Sequence, residues 1–358
     1  GDYATLELPS GETRLVPSRC RATIGNFDGV HRGHQAILQQ CREHAARHGV
    51  PLTVVVFEPQ PREFFAGEQA PPRLTRLREK VRLLMAHGAE QVLCLPFNDA
   101  LRSLTGREFI DQVLIKGLDV RHLVVGDDFR FGCDRRGDFN LLKAVGREQG
   151  FGVEHTRTFT VDGERVSSSR VRTLLASGNF HASARLLGRP YSLGGRVVRD
   201  QQLGRTIGVP TANLPLLPQP LTLRGVFATI AELEDGGCYP SVANIGYRPT
   251  VGVQRPTLEV HLFDFDRNIY GQRCTVYPCA RLRGETRFDD FDALKAQIYA
   301  DQLRARRYLA NYPGANHALP LASAPAPLSD ISAADIPAAA TTFSDIRLAD
   351  DSADANDG

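Results

Sequence analysis

The 358-residue sequence has no tryptophan, a single methionine and no apolar stretch near the roughly 18 residues that a membrane span requires. No apolar run follows the first residues of the sequence, so we expect no signal peptide. Hydrophobic residues make up 42% of the chain and charged residues 23%, which is typical of globular proteins in an aqueous compartment. These absences predict a cytoplasmic protein without a membrane partner.

Paired cysteines are also lacking. The chain has seven cysteines, an odd number, and no two of them are spaced as C-x-x-C. An odd count argues against a disulfide framework, and the lack of C-x-x-C argues against a cysteine-based zinc site. The sequence therefore predicts reduced cysteines and gives no indication of a zinc site.

The net charge of +2 conceals an uneven distribution. After Arg307 the chain holds one basic and seven acidic residues, and the part before it holds 42 Lys and Arg against 34 Asp and Glu. A basic body suits anionic small molecules such as nucleotides. Because no dense Lys/Arg cluster alternates with aromatic residues, we expect no nucleic-acid partner. The sequence leaves open whether the protein forms a homo-oligomer.

The first half of the chain alternates short apolar runs with amphipathic segments. This alternation predicts a parallel sheet with helices on both sides, in which ligands bind beyond the carboxyl ends of the strands. The predicted strands are residues 21–24, 52–57, 91–95, 121–125 and 152–157, and the predicted helices are residues 34–48, 74–85, 109–115 and 138–149.

The pattern changes near Arg189 to a period of two with frequent Gly and Pro, which predicts an antiparallel barrel or sandwich. One helix follows, capped by Asp289 or Asp290. The tail is rich in Ala, Asp, Ser and Pro and is predicted to be disordered, although a short binding motif at residues 343–348 is an alternative. The predicted strands are residues 196–199, 226–233, 258–265 and 274–282, the helix is 291–309, and the predicted domains are 1–188, 189–314 and 315–358.

The string GNFDGVHRGH, residues 25–34, follows the first predicted strand and opens the first helix. Glycines let the backbone approach phosphate oxygens, and a helix N-terminus favours anions. His31 and His34 can both donate hydrogen bonds to phosphate oxygens as charge builds up in a transition state, with Gly33 keeping the turn tight. This predicts attack on a nucleotide α-phosphate by a substrate phosphate. The alternative is an ordinary turn with two surface histidines.

This turn resembles the H-x-G-H signature of the nucleotidylyltransferase superfamily. The resemblance narrows to the prokaryotic bifunctional riboflavin kinase/FMN adenylyltransferase family, because three more segments resemble its adenylyltransferase module. These segments are residues 57–61 (FEPQP), 125–132 (VGDDFRFG) and 166–172 (VSSSRVR). Gln60 departs from the pattern, since the family usually has His there and Gln cannot carry a positive charge.

The resemblance implies an ATP site and a flavin site. The serine hydroxyls and Arg170 would hold the β- and γ-phosphates at a helix start. The implied ATP residues are Gly25, Phe27, Asp28, Gly29, Gly33, Ser167, Ser168, Ser169 and Arg170, and the implied flavin and adenine residues are Gly126, Asp128 and Phe129. Taken alone, the serine string is typical of a helix cap, and Asp127 and Asp128 are typical of a turn.

A second glycine-bearing string, LGRTIGVPTANL at residues 203–214, lies in the β-rich half and lacks the G-K-[ST] of a Walker loop. Its glycines permit backbone contact with phosphates. Thr211 and Asn213 alternate on an extended segment, so both can point at one Mg²⁺. By itself, Pro-Thr-x-Asn is as typical of a turn.

The PTAN string resembles the riboflavin kinase signature, which implies Gly204, Gly208, Thr211 and Asn213 at ATP, with the last two also at the metal. Residues 243–250, 258–265 and 287–289 resemble further segments of that kinase. Glu259 on the second of these is implied as the general base for the riboflavin 5′-hydroxyl. The alternative is a solvent-facing glutamate opposite a core face.

The resemblance implies an α/β Rossmann-like nucleotidylyltransferase domain followed by a mostly antiparallel β-barrel riboflavin kinase domain with a C-terminal helix. The expected reactions are phosphorylation of riboflavin to FMN and adenylylation of FMN to FAD and pyrophosphate, with ATP as co-substrate and Mg²⁺ as cofactor. Three alternatives remain: a kinase with a weakened adenylyltransferase because of Gln60, a flavin-binding regulator without turnover, and a nucleotidylyltransferase for another substrate.

Overall fold

The computed structural model describes residues 3–7, 13–17, 19–45, 49–126, 128–199, 211–216, 220–250, 253–288, 290–310 and 312. The chain divides into two compact units, Gly1–Ser168 and Ser169–Gly358. No helix of the described residues is long and apolar enough to cross a membrane.

The first unit is built on a five-stranded parallel sheet with the strand order β5-β4-β3-β6-β7. Its central strands are almost entirely buried, as expected for a parallel sheet covered on both faces. The strands of the sheet are β3 (Arg21–Ile24), β4 (Leu52–Glu58), β5 (Gln91–Pro96), β6 (His122–Val125) and β7 (Gly152–His155). An antiparallel hairpin of β1 (Tyr3–Glu7) and β2 (Thr13–Pro17) precedes them, and a second hairpin of β8 (Thr160–Val161) and β9 (Glu164–Arg165) follows.

Helices cover both faces of this sheet. Successive side chains of a strand point to opposite faces, so Val55 belongs to one buried cluster while Val54 and Val56 belong to another. The helices are α1 (Arg32–Ala45), α2 (Pro61–Ala66), α3 (Leu77–Ala86), α4 (Asp99–Arg102), α5 (Gly106–Phe109), which continues as a π-helix (Ile110–Gly117), and α6 (Phe139–Gln149).

The second unit is a nearly closed antiparallel barrel of six strands with the order β10-β15-β12-β13-β14-β11. Val198, just beyond β10, pairs with Asn213 of β11 and so joins the two ends of the sheet. The elements are α7 (Ser168–Ala176), α8 (Phe180–Leu187), β10 (Leu193–Arg196), β11 (Ala212–Pro215), β12 (Gly225–Leu233), β13 (Cys238–Thr250), β14 (Val253–Leu262), β15 (Arg273–Arg283) and α9 (Phe291–Ala310).

Helix α9 packs on the barrel through a small apolar cluster. Ala305 and Leu309 of the helix lie against Ile230 and Tyr277 of β12 and β15. Asp290 accepts a hydrogen bond from the backbone N–H of Ala293 (2.7 Å) and so caps the helix, as expected for one of the two aspartates.

The predicted fold class is confirmed in both halves, but several elements were not predicted. The hairpins β1–β2 and β8–β9, strand β13 and the short helices α2, α4 and α8 have no counterpart in the sequence prediction. The start of α7 at the serine string and the extended segment at β11 were expected, and α5 with its π-helix begins before the predicted helix 109–115. The strand predicted at 258–265 is longer at its start and ends earlier, because Asp264 lies in the left-handed region (φ 54°). The tail predicted to be disordered, 315–358, lies outside the described residues, as does Asp289.

Candidate active sites

The first candidate site lies at the carboxyl edge of the parallel sheet. From β3 the chain builds outward through β4 and β5, and then returns to the other side of β3 with β6 and β7. The topology therefore switches between β3 and β6, and in such sheets the ligand crevice opens at the switch. The loops that follow β3 and β6 are those that carry most of the predicted adenylyltransferase residues.

His31 and His34 are stacked at the start of α1. Their ring centroids are 3.6 Å apart with an interplanar angle of 16°, and His31 is 5% exposed. The backbone N–H of His34 donates to Nδ1 of His31 (3.3 Å), so the His31 ring caps the helix and its own proton lies on Nε2. The pair presents ring N–H groups beside helix-terminal amides, an arrangement suited to a phosphate.

Gly33 is required by this stack. A Cβ at Gly33 would lie 3.0 Å from Cε1 and 3.1 Å from Nδ1 of His31, and 3.4 Å from the carbonyl oxygen of Val166. The spacing H-x-G-H thus has a steric reason, because any side chain between the histidines pushes on the first ring.

Asp28 holds the turn from within. Its carboxylate, 2% exposed, accepts hydrogen bonds from the backbone N–H groups of Leu74 (3.0 Å) and Thr75 (3.1 Å). The Thr75 hydroxyl oxygen accepts the N–H of Gly29 (3.0 Å), and Ser168 donates its hydroxyl to the Asp28 carbonyl (2.8 Å). The carboxylate that the resemblance implied at ATP is thus engaged by the protein's own backbone.

The backbone of the turn is bent at three residues. Gly29 has φ 85°, and Phe27 (φ 48°) and Val30 (φ 41°) occupy the left-handed region that side chains disfavour. Both apolar side chains are buried, and the Phe27 ring packs 5.0 Å from that of His34. The N–H of Gly25 donates to the Val55 carbonyl on the neighbouring strand (3.1 Å). Burial and these bonds maintain a strained turn, a common feature of active sites.

A buried ion cluster lies at the carboxyl end of β4. Arg73 donates two hydrogen bonds to Glu58 (2.9 Å each) and two to Glu63. Burial alone would lower the pKa of Arg73, but the bonds to these carboxylates raise it above its ordinary value. Glu63 also accepts the backbone N–H of Gln60 (2.9 Å), and the Gln60 side chain is itself buried.

The loop after β6 turns back toward the sheet. The N–H of Phe129 donates to the carbonyl of Gly126 (3.1 Å), and the Phe129 ring stacks 5.2 Å from that of Phe131. A Cβ at Gly126 would lie 3.0 Å from Oδ1 of Asp128, whose side chain is exposed. Asp127 lies outside the described residues.

The serine string occupies the start of α7. Ser167 and Ser168 belong to the first unit and are half-buried, and Ser168 is the residue that bonds the Asp28 carbonyl. Ser169 and Arg170, exposed and half-buried respectively, belong to the second unit.

The second candidate site lies on the barrel. Asn213 of β11 stands directly opposite Glu259 of β14, and Thr211 precedes that strand by one residue. Leu258 and Val260 are fully buried while Glu259 is half-buried, so the carboxylate lies on the face turned away from the barrel core. Gly204 and Gly208 lie outside the described residues.

One residue of this site was not singled out from the sequence. Asn244 of β13 stands opposite Glu259 from the other side, so Asn213, Glu259 and Asn244 form a row across three strands. Directly opposite side chains lie about 5 Å apart. The string around Asn244 was noted for its resemblance, but its register with Glu259 follows from strand pairing that local sequence does not reveal.

The comparisons with known proteins identify both modules. The sequence model described as FAD synthetase matches residues 14–170, and the one described as riboflavin kinase matches 187–309. A bifunctional riboflavin kinase/FMN adenylyltransferase from Pseudomonas fluorescens is 51% identical over 308 residues, covering 85% of this chain and 98% of the relative. The chain belongs to the bifunctional riboflavin kinase/FMN adenylyltransferase family.

A second relative supports the family, and a solved structure supports the fold. An Escherichia coli K12 bifunctional riboflavin kinase/FMN adenylyltransferase is 49% identical over 289 residues, covering 81% of this chain and 92% of the relative. A crystal structure from Streptococcus pneumoniae, described as a macrolide-efflux protein, aligns with a TM-score of 0.68 at 30% identity, covering 83% of this chain and 95% of that one. The predicted family, fold class and pair of enzyme activities are confirmed.

The described residues contain no group of three or more His, Cys, Asp or Glu side chains that could hold a metal. The oxygen donors at the barrel site are instead the hydroxyl of Thr211, the side-chain amides of Asn213 and Asn244, and the carboxylate of Glu259. Oxygen donors of this kind fit Mg²⁺, which usually keeps part of its shell for waters and substrate phosphates.

Proposed function

We propose that this chain runs the family's two reactions at separate sites, adenylyl transfer at the His31–His34 turn and phosphoryl transfer beside Glu259. The stacked histidine pair at a helix N-terminus is the observation that carries the first assignment. The pairing of Glu259 with Asn213 carries the second.

In adenylyl transfer, a phosphate oxygen of FMN attacks the α-phosphorus of ATP. A new P–O bond forms while the bond to the bridging oxygen breaks, and pyrophosphate leaves. The N–H groups of His31 and His34 donate to the α-phosphate oxygens as their charge grows, and the N-terminus of α1 adds its dipole. Gly25, Gly29 and the serine string at 167–169 with Arg170 hold the remaining phosphates in this proposal, and Gly126, Asp128 and Phe129 line the flavin and adenine.

In the kinase reaction, the riboflavin 5′-hydroxyl attacks the γ-phosphorus of ATP, and ADP leaves. Glu259 accepts the hydroxyl proton as the new O–P bond forms. The hydroxyl of Thr211 and the amide oxygen of Asn213 would hold Mg²⁺, which neutralises phosphate charge when bound. Riboflavin and ATP enter as substrates, and FMN passes to the other reaction.

We keep the remaining expectations as part of the proposal. These are the domain limits 1–188, 189–314 and 315–358, a cytoplasmic location, no nucleic-acid partner, and an open possibility of a homo-oligomer.

The test follows flavins over time in a mixture of the full chain, riboflavin, ATP and Mg²⁺. FMN should appear first and FAD second. His31→Ala should lower FAD formation by about 10²–10³-fold and leave FMN formation intact, since one transition-state donor is lost. Glu259→Gln should lower FMN formation by about 10²–10⁴-fold and spare FAD formation from added FMN.

Each variant thus carries its own control in the other reaction. A folded variant that lost both activities would contradict the assignment of separate sites. FMN without FAD from the unmodified chain would favour a kinase with a weakened adenylyltransferase, and Gln60→His would then be the first variant to make. Riboflavin bound without any conversion would favour the regulator.

A further inference from the structure

A lysine is buried beneath the histidine turn. Lys80 is 0% exposed and lies on the face of α3 that packs on the sheet, three residues after Leu77 and four before Leu84. Both leucines belong to the apolar cluster that includes Phe27 and Val30 of the turn. Lys80 is therefore buried on the face of α3 whose leucines share an apolar cluster with residues of the histidine turn.

The ammonium of Lys80 has no hydrogen-bond partner among the residues that the structure describes. Its charged neighbours lie on four segments: Asp28 in the turn, Glu58 at the end of β4, Glu63 on α2 and Arg73 before α3. Burial lowers the pKa of Lys80, and Arg73 acts in the same direction, while the three carboxylates oppose the shift. The attraction from Asp28 is the largest opposing effect.

A charge in this place is costly. Desolvation of a buried ammonium costs several kcal/mol, and an apolar side chain of similar length would fill the same slot without that cost. Asp28, 2% exposed, accepts hydrogen bonds from the amides of Leu74 and Thr75 and from the Thr75 hydroxyl. A buried cation nearby attracts the Asp28 carboxylate, whose oxygens accept these bonds.

We propose that Lys80 is a positioning residue for adenylyl transfer: its buried ammonium attracts the buried Asp28 carboxylate, holds it against the amides of Leu74 and Thr75, and thereby fixes the turn that carries the two histidines. The inference rests on the proposed role of those histidines. Lys80 does not touch the substrates, so its removal acts on the rate of the chemical step more than on substrate binding.

The first test compares the full chain with its Lys80→Met variant in FAD formation from FMN and ATP across neutral to alkaline pH. At neutral pH the kcat of the variant should be about tenfold lower, since displacement of catalytic groups is costly, with the KM for ATP within about twofold. Kinase activity of the same chain is the control and should not change.

The pH dependence separates positioning from packing. Methionine does not titrate, whereas the Lys80 ammonium loses its proton at a pH below the ordinary lysine pKa of about 10.4. The FAD-forming rate of the unmodified chain divided by that of Lys80→Met should therefore fall toward one as the pH rises. A ratio of one at neutral pH, or a ratio that stays constant with pH, overturns the proposal.

Two further variants keep the test decisive where Lys80→Met folds poorly. The arginine of Lys80→Arg keeps its charge at every pH of the assay. Relative to the kinase activity at each pH, the FAD-forming rate of this variant should therefore not show the alkaline loss of the unmodified chain. An alkaline loss equal to that of the unmodified chain contradicts the proposal. In a double-mutant cycle with Asp28→Asn, strongly non-additive effects support action through Asp28, and additive effects oppose it.

The variant His31→Ala distinguishes failure of the proposed histidine site from failure of the role of Lys80. If that variant forms FAD at the full rate, the proposed site itself fails. If it loses FAD formation while Lys80→Met behaves as the unmodified chain at every pH, only the role of Lys80 fails.

Discussion

Replacing Gly33 by alanine should separate stability from activity. The added Cβ would lie 3.0–3.1 Å from the His31 ring and 3.4 Å from a backbone oxygen, so the ring must shift by a few tenths of an ångström. The ring cannot yield toward His34, since the two are already stacked at 3.6 Å. Alanine meanwhile favours helix α1 over glycine by up to about 1 kcal/mol. Because a 1 Å misplacement can cost about 100-fold, we expect a loss of about tenfold in FAD formation.

The assay is FAD formation from FMN and ATP, run beside kinase activity and thermal unfolding of the same variant. We expect unfolding at the same or a slightly higher temperature, unchanged FMN formation and slower FAD formation. Gly195→Ala is the matched control, because its added Cβ would meet no atom closer than 3.7 Å. Full FAD-forming activity in Gly33→Ala would refute the steric explanation of the motif, as would a loss of stability parallel to the loss of activity.

Two further predictions concern buried charges. Arg73→Met should destabilise the first unit by about 3 kcal/mol in urea unfolding at neutral pH, because Glu58 and Glu63 lose their cation. Burial alone would raise the pKa of Glu63, but its hydrogen bonds from Arg73 and Gln60 hold that pKa below its ordinary value. The stabilisation by the Arg73–Glu63 pair should therefore be complete above about pH 4.5 and lost in stronger acid. Equal stability of Arg73→Met and the unmodified chain at neutral pH would contradict this prediction. Burial raises the pKa of Glu232 against the hydrogen bond from the Tyr277 hydroxyl, so the ionised form weakens the fold above that pKa. Glu232→Gln should therefore raise the melting temperature at neutral pH but not in acid, and an unchanged melting temperature at both would oppose this account.

The sequence predicted the parallel sheet well because its strands are short, continuous apolar runs with regular spacing. Strand Arg21–Ile24 has the predicted bounds, and the helix after Asp138 begins where predicted because that side chain caps it. Strand β13 was not predicted, since Pro240, Gly246 and Pro249 interrupt its pattern, and prolines are unusual in a central strand. There the pairing with β12 and β14 overrides local preference.

The candidate site was predictable as far as its motifs reach. His31 and His34 could be picked out because their spacing has a chemical reason. Asn213 and Glu259 were singled out through the resemblance of their strings to riboflavin kinase segments. The role of Asp28 could not, because its partners Leu74 and Thr75 lie elsewhere in the sequence and on no recognisable motif. The same contact explains why α3 begins at Leu77 and not at residue 74 as predicted: the amides just before it are turned toward Asp28.

Lys80 shows the limit of reading helical periodicity. The pattern of Leu77, Val81 and Leu84 predicts an apolar stripe, and a lysine next to it is ordinarily assigned to solvent. The structure buries Lys80 and leaves Val81 partly exposed. A charge at this buried position is explained chiefly by the nearby Asp28 carboxylate in the histidine turn.

The bonds that hold the histidine turn join parts of the chain made at different times. Asp28 reaches Leu74 and Thr75 across 46 and 47 residues, and its carbonyl reaches Ser168 across 140. A ribosome-bound chain that has already exposed both histidines therefore lacks the partners of their turn until most of the first unit has been synthesised. Helix α1 can form early from its own residues, whereas the geometry of the histidine turn waits for long-range closure. Of all parts of this unit, the site is then among the last to assemble.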